Sequence, residues 1–233
     1  MAVPTARQRA RADFERVIRS TARRHVAQGG GVALSLRAVA RELGVASSAL
    51  YRYYPSRDVL LTALIVEAYD AVGQVAERAA APAQDEPGAR WLSVCRAVRT
   101  WAKGHPHEWA LVYGTPVPGY AAPPDTIAAA TRLPRVMAEV VLSAVADRTL
   151  RPPPRPLPRS LVTPAVVALA GGPPAEPYGD VLERSIVLLV ALVGAVSYEL
   201  FGHTVGTFTD DDAWFDVAMA VAAEGVGLQV PLG

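Results

Sequence analysis

Between Ser35 and Pro55 the chain has room for two short helices and nothing longer. "SLRAVARELGVASSALYRYYP" opens on a hydroxyl residue suited to cap a helix. It continues with Leu36, Val39, Ala40 and Leu43 at the three-and-four spacing of one buried face. Gly44 then closes that helix after about two turns, as glycine does where the chain must leave a helix. The next helix starts near Ser47, carries Leu50 and Tyr54 four apart on one side, and stops at Pro55. Helices this short need a longer partner to pack on, and Ala6 to about Gln28 supplies it. There Ala10, Phe14, Val17, Ile18, Thr21, Ala22 and Val26 recur at three and four, leaving Arg7, Arg11, Arg19 and Arg23 mostly on other faces, before "GGG" ends the helix. Three helices with a glycine turn between the second and third follow the helix-turn-helix plan.

In that plan the third helix is the one that enters a major groove, which requires small or polar side chains at its start; "ASS" at Ala46 to Ser48 provides them. Farther along, Tyr51, Arg52, Tyr53 and Arg57 are spaced to span the groove's edge and donate to phosphates, contacts that position a protein without specifying sequence. Arg37, in the first turn of the second helix, is the long donor placed for a base edge, where guanine O6 and N7 accept bidentately. A tyrosine-bearing helix beside a glycine turn also serves in plain helical bundles. Charge favours the nucleic-acid reading. Residues 1–60 hold eleven arginines against Asp13, Glu15, Glu42 and Asp58, a net charge of +7, whereas the remainder of the chain carries −6. A basic head on an acidic body points to a polyanionic partner for the head alone.

Helical periodicity continues beyond the head and strand alternation is nearly absent, so an all-α fold is expected. Ser56 is a cap for a fourth helix reaching about Ala81, and the Pro- and acid-containing "APAQDEPG" at Ala81 to Gly88 reads as a joint. The expected domains are therefore a helix-turn-helix head at 1–55, a connecting helix at 56–81, and a larger helical body at 82–233. Within the body, helices are expected near 89–104, 106–113, 124–150, 161–170, 179–203 and 211–226. Asp210 to Asp212 are placed to cap the last of these. "RPPPRPLPRS" at Arg151 to Ser160 is incompatible with a helix and reads as a polyproline-like surface excursion.

The apolar run Ile186 to Val196 falls short of the roughly 20 residues that cross a bilayer and is read as a buried helix. The amino terminus lacks the apolar core of a signal peptide, and the single Cys95, read as a buried thiol, suits a reducing cytosol; a cytoplasmic location without membrane contact is expected. Arginine almost to the exclusion of lysine (only Lys103), with abundant alanine and proline, reads as the composition of a GC-rich bacterial genome.

In the body, Ile186, Leu189, Val190, Val193, Val196 and Leu200 form one apolar stripe, and Trp214, Val217, Ala218, Val221 and Ala222 another. Paired about a two-fold axis they would make a four-helix core, so a homodimer through these helices is expected. Trp91, Cys95, Trp101, Trp109, Tyr113 and Met137 are candidate lining for an apolar ligand cavity. His105 and His107, an i,i+2 pair around a proline without nearby carboxylate or thiol ligands, make a poor metal site. No nucleophile–base pair or phosphate-cradling glycine loop stands out, so neither a cofactor nor enzymatic activity is expected.

"LSLRAVARELGVASSALYRYYPSRDVLL", Leu34 to Leu61, closely resembles the DNA-binding domain of TetR-type bacterial transcriptional regulators, and the resemblance extends over about residues 8–68. "HPHEWALVYGTPVPGY" and "VGAVSYELFGH" are similar to the WHG-type C-terminal domain of that family, with Val193-Gly194 where relatives carry His-Gly. The resemblance implies a dimeric repressor that holds a palindromic operator on double-stranded DNA. It would let go when a small apolar or amphipathic effector occupies the body. Carried across by position, Arg37, Ser47 and Ser48 would face bases, Tyr51, Tyr53 and Arg57 would hold phosphates, and Arg52 would stand between the two roles. Ser35 would cap the second helix and touch phosphate. Ala46 departs from the family pattern, which often has serine there, so Ser47 is expected to cap the third helix instead. A helical enzyme or metal-binding protein with an incidental basic head, and a regulator without small-molecule release, are the competing readings.

Overall fold

The computed structural model describes residues 5–81, 86–152 and 160–232. Among these the regular structure is entirely helical: α1 (Ala6–Gly29), α2 (Leu36–Glu42), α3 (Ser47–Tyr51), α4 (Arg57–Ala79), α5 (Pro87–Gly104), α6 (Pro106–Tyr113), α7 (Ile127–Ala130), α8 (Arg132–Ala146), α9 (Pro164–Leu169), α10 (Val181–Leu200) and α11 (Asp211–Glu224). Short 3-10 turns occupy Gly31–Ala33 and Pro124–Thr126. The chain gathers into two compact units. One comprises residues 1–68 with 106–127, the other residues 69–105 with 128–233.

In the first unit, α1 begins with a capping box in which Thr5 and Gln8 satisfy each other's backbone donors, and it ends at Gly30, whose positive φ of 69° carries the chain out of the helix. Its buried stripe of Ile18, Thr21, Ala22 and Val26 meets Leu36, Val39 and Ala40 of α2, Leu50 of α3, and Leu60, Leu61 and Leu64 of α4 in one apolar core. Gly44 makes the turn between α2 and α3 with φ 67°, a conformation that side-chain-bearing residues rarely adopt. The segment after α5, assigned by sequence to the body, packs here. A Cβ on Gly31 would collide with Val117, and Thr62 Oγ1 lies 2.9 Å from the Tyr120 hydroxyl.

In the second unit the core is made by Trp91, Val94, Cys95 and Val98 of α5, Leu133, Met137, Val140 and Val141 of α8, Leu188, Leu192 and Val196 of α10, and Phe215 and Met219 of α11. One cation lies inside it. Arg99 grips Glu199 through two hydrogen bonds of 2.6 and 2.8 Å and Asp212 through a third of 2.6 Å, with its guanidinium 4.8 Å from the centre of the Phe215 ring. This joins α5, α10 and α11. Asp210 caps α11, accepting from the backbone N–H of Asp212 and Ala213, as the acid run predicts. By length and composition α4 and α10 are apolar enough to cross a membrane; in α10 about a third of the apolar stretch, including Leu188, Leu192 and Val196, is buried within the unit.

Two helix expectations are corrected. The single helix near 124–150 is interrupted at Thr131, because Pro134 has no N–H to donate to the carbonyl of residue 130; it is accommodated only in the first turn of a new helix, α8. The third helix ends at Tyr51 rather than Tyr54, its last residues forming a turn closed by Tyr53 N to Leu50 O at 2.8 Å. Of the joint expected at 81–88, residues 82–85 lie outside the described residues while Pro87 and Gly88 already belong to α5, and most of the proline-rich stretch at 151–160 lies outside the described residues.

Arg99→Ala would leave a largely buried Glu199 with Lys103 as its remaining cation. It is expected to cost about 3 kcal/mol, read as a fall in the urea midpoint, while the double variant Arg99→Met, Glu199→Met recovers much of the loss. Burial raises the Glu199 pKa, but the bonds from Arg99 and Lys103 prevail and hold it below the usual carboxylate range. A depressed folded pKa stabilises above the unfolded value and ceases to do so as pH falls through the folded one. The stability gap between wild type and Arg99→Ala is therefore expected to shrink below about pH 4.

Candidate nucleic-acid interface

The α2–α3 pair presents an exposed edge whose chemistry follows from its caps. Ser35 stands at the N-cap of α2 and its Oγ accepts from Ala38 N at 3.4 Å, so this hydroxyl is engaged in holding the helix start. Ala46, not Ser47, is the N-cap of α3: its backbone is extended (φ −62°, ψ 138°) and its carbonyl accepts from Ala49 N at 2.9 Å. Ser47 is the first helical residue, which corrects the expected cap. No side chain caps α3. Arg37, Ser48, Tyr51 and Arg52 are exposed, and Ser47 and Tyr53 half-buried. Tyr53 is set by its neighbours, edge-on to Phe14 with ring centres 5.2 Å apart and with the Arg11 guanidinium 5.2 Å from its own ring centre.

Arg57 turns inward. Its Nη2 donates to Gly31 O at 2.7 Å, its Nε to Leu34 O at 3.2 Å and its Nη1 to Asp58 at 3.1 Å, so the side chain ties the first turn of α4 to the loop between α1 and α2. Those carbonyls compete with the phosphate role expected for it. Tyr54 is likewise internal, with its hydroxyl accepting from Arg19 at 3.0 Å.

The basic charge of the head is partly neutralised within the unit. Arg19 and Arg23 pair with Glu67, and Arg24 and His25 share Glu42, whose carboxyl they hold below its usual range. Among the described residues, the side chains of Arg7, Arg9, Arg37, Arg41 and Arg52 have no hydrogen-bond or ion-pair partner. Sequence reasoning missed one grouping: Arg7, Ala10 and Arg11 of α1 line a cavity of about 280 Å³ together with Arg52 and Tyr53. The i,i+4 spacing of Arg7 and Arg11 was its visible signal.

The aromatic lining expected for a ligand divides between the units. Trp109 and Tyr113, with ring centres 4.5 Å apart, lie on α6 in the first; Trp91, Cys95, Trp101 and Met137 lie in the second. Trp91, Cys95 and Met137 are enclosed core, with Trp91 Nε1 donating to Met219 O at 3.0 Å, and burial pushes the Cys95 thiol well above its ordinary pKa. Trp101 stacks on His105 at 5.1 Å. The second unit instead contains a cavity of about 520 Å³ between α8, α9 and α10. Its walls are Pro134, Ala138, Leu142, Val166, Leu182 and Leu189, with Arg135 and Glu139 as its charged groups. Among the described residues no three His, Cys, Asp or Glu side chains converge as metal ligands would.

The residues of the stripe expected for pairing differ in exposure, and Val190 stands open at 64%. Val196 is buried inside the unit beside Leu188 and Leu192, while Leu189, Val193 and Leu200 are half-buried and Ile186 is exposed. The open face of α10 is Val187, Val190, Gly194 and Tyr198, the three larger residues being 61–64% exposed. On α11, Val217 and Val221 are open, whereas Trp214 stacks on Phe208 at 4.3 Å. Because α10 is apolar all round, periodicity alone left its inward face undetermined.

A family model described as bacterial regulatory proteins, tetR family, matches residues 18–64, and one described as tetracyclin repressor-like, C-terminal domain, matches residues 91–222. HTH-type transcriptional regulators of Mycobacterium tuberculosis and Mycobacterium bovis are 38% identical to the chain over 232 residues, covering 94% of it and 96% of each relative. A solved candidate regulatory protein superposes with a TM-score of 0.72 at 30% identity, over 94% of this chain and all of that one. A protein of unknown function from Rhodococcus sp. RHA1 shares the fold, with a TM-score of 0.70 at 23% identity over 91% and 95% of the two chains. With the exposed helix-turn-helix edge at its head and both family models matched, the chain belongs to the TetR family and is a transcriptional regulator with an N-terminal DNA-binding domain.

Proposed function

We propose that this regulator is a repressor that acts in the cytoplasm, binds a palindromic operator as a homodimer, and leaves it when a small apolar or amphipathic molecule enters the second unit. The observation that carries this reading is the open apolar face of α10 and α11, where Val187, Val190, Tyr198, Val217 and Val221 stand exposed. Apolar residues clustered in this way mark an association surface, and two-fold pairing through it brings two recognition helices to one duplex. Operator half-sites then lie about 34 Å apart or at a multiple of it.

Release needs a path from the cavity to the helix that carries the head. The cavity wall is the face of α8 that includes Thr131, Pro134 and Ala138, and beside it Arg132 reaches α4: Nε and Nη2 donate to Glu77 at 2.8 and 2.6 Å, and Nη1 to Asp70 Oδ1 at 2.7 Å. Gly73 lets the helices meet there, since a Cβ on it would stand 2.6 Å from Arg132 Cβ. α4 is a single helix from Arg57 to Ala79. An effector that shifts α8 thus acts on α4 through Arg132, and a changed α4 alters the spacing of the recognition helices. The effector does so only to the extent that it binds one arrangement better than the other.

Gel shifts with the DNA upstream of the chain's own gene test the reading; the absence of salt-sensitive binding to any palindrome there would count against it. Arg37→Ala is expected to cost about 1–3 kcal/mol at one base position and to relax preference there, whereas Tyr53→Phe weakens all sequences alike. Equal losses on every sequence for both would contradict the assignment. Val190→Glu combined with Val221→Glu is expected to give a folded monomer by sedimentation, with half-site affinity only. Arg132→Met should retain operator affinity yet respond less to whichever compound, from a panel of small phenols and medium-chain fatty acids, releases the wild type.

A further inference from the structure

We infer that the cavity formed by Arg7, Arg11, Arg52 and Tyr53 is a seat for one backbone phosphodiester of duplex DNA, extending the DNA-binding surface from α3 onto α1. The inference rests on the DNA-binding role of the head and adds Arg7 and Arg11, which neither the helix-turn-helix plan nor the assigned contacts include. Three guanidinium groups line one cavity of about 280 Å³. Like charges converging on a small space repel unless an anion occupies it. Only Arg11 has a carboxylate nearby, Glu15 at 3.0 Å, and this is an exposed i,i+4 pair of the kind that contributes little. Arg7 and Arg52 have no partner among the described residues.

The floor is fixed in advance. Tyr53 is held edge-on by Phe14 and covered on its ring by Arg11, so its orientation does not have to be ordered by the ligand. Arg7 and Arg11 share a face of α1 one turn apart, and Arg52 is the C-cap of α3. Planar guanidinium forks match the oxygens of a phosphate bidentately. The seat adjoins the end of α3, while the small residues Ser47 and Ser48 stand at its start. A strand crossing α3 in the groove is then gripped at the far end of the recognition helix.

Phosphate chemistry is common to duplex DNA and to free phosphate, so the test has an arm for each. Binding of the full chain to a labelled mixed-sequence duplex of about 30 base pairs is followed by fluorescence anisotropy across about 50–200 mM salt. Losing one phosphate contact lowers the slope of log affinity against log salt by about 0.9. R7Q and R52Q are each expected to lower it by about that amount per bound subunit, hence by about 1.8 for a dimer, and the double variant little further, because in each subunit both serve one phosphate. R16Q, which removes an α1 arginine outside the cavity that pairs with Asp13, is expected to change the slope far less. Circular dichroism and thermal melting should be unchanged, both substituted side chains being exposed and unpartnered.

Slopes for R7Q and R52Q that match R16Q would overturn the inference, as would a double variant losing about twice the single amount, which indicates two separate phosphates. Competition by inorganic phosphate that weakens in the variants while duplex affinity stays at the wild-type value would reassign the cavity to a free anion and overturn the duplex seat. Failure of the wild type to bind any duplex would overturn the seat and the regulator reading together. Normal wild-type binding with unaffected variants removes the seat alone.

Discussion

A helix of five residues has no stability of its own, since nucleation alone exceeds what so few hydrogen bonds return. α3 exists because Leu50 is buried to the last atom in the core of the first unit, where α3 packs on α2, with Tyr54 following it into that core. Removing a fully buried leucine side chain typically costs about 2–5 kcal/mol. In a helix this short, the loss falls on the element proposed to meet DNA. Everything exposed on that helix is available for recognition because one inward residue anchors it. Ser47 and Ser48 can stay small at its start, and Tyr51 can stand in solvent, without weakening the anchor.

The arginines of the head divide by the same principle. Arg19, Arg23 and Arg24 reach carboxylates on α4 and α2 and become part of the unit's frame, and Arg57 is drawn to backbone carbonyls. The remaining free cations lie along α1, α2 and the end of α3. A net charge counted from sequence therefore overstates what a polyanion meets, but it locates the right end of the chain. In the second unit the opposite rule holds: Arg99 is buried and fully matched, and its acceptors come from two other helices. There the charge fixes how helices assemble.

Much of the fold was legible because it is written locally. Ser35, Gly44, Pro55, Ser56 and Asp210 are punctuation that acts within a few residues, and the helices they bound fall within a few residues of expectation. Pro134 was equally local, and its break in the helix near 130 follows from the same chemistry. What was not legible depends on distant partners. The fit of Val117 against Gly31 places Pro106–Ile127 with the head, and no nearby pattern announces it. The inward face of α10 was hidden because Leu188, Leu192 and Val196 are no more apolar than Val187 and Val190. Cys95 and the buried tryptophans resemble cavity lining in sequence, since both cores and ligand sites are apolar; only the filled space around them distinguishes the two. The base-facing and phosphate-facing roles given to Arg37, Ser48 and Arg52 come from position within the motif, and Arg57 illustrates how a backbone carbonyl can redirect such a residue.

The inward turn of Arg57 bears on how force passes along the chain. Pro55 and Ser56 look like a joint, a short break between two helices where bending would cost little. Arg57 spans that break from the α4 side, holding Gly31 and Leu34 across more than twenty residues of sequence. Bending at Pro55 would have to pull those bonds apart. The head and the first turns of α4 therefore form one stiff body, in which the reading edge cannot swing about Pro55 independently of the start of α4.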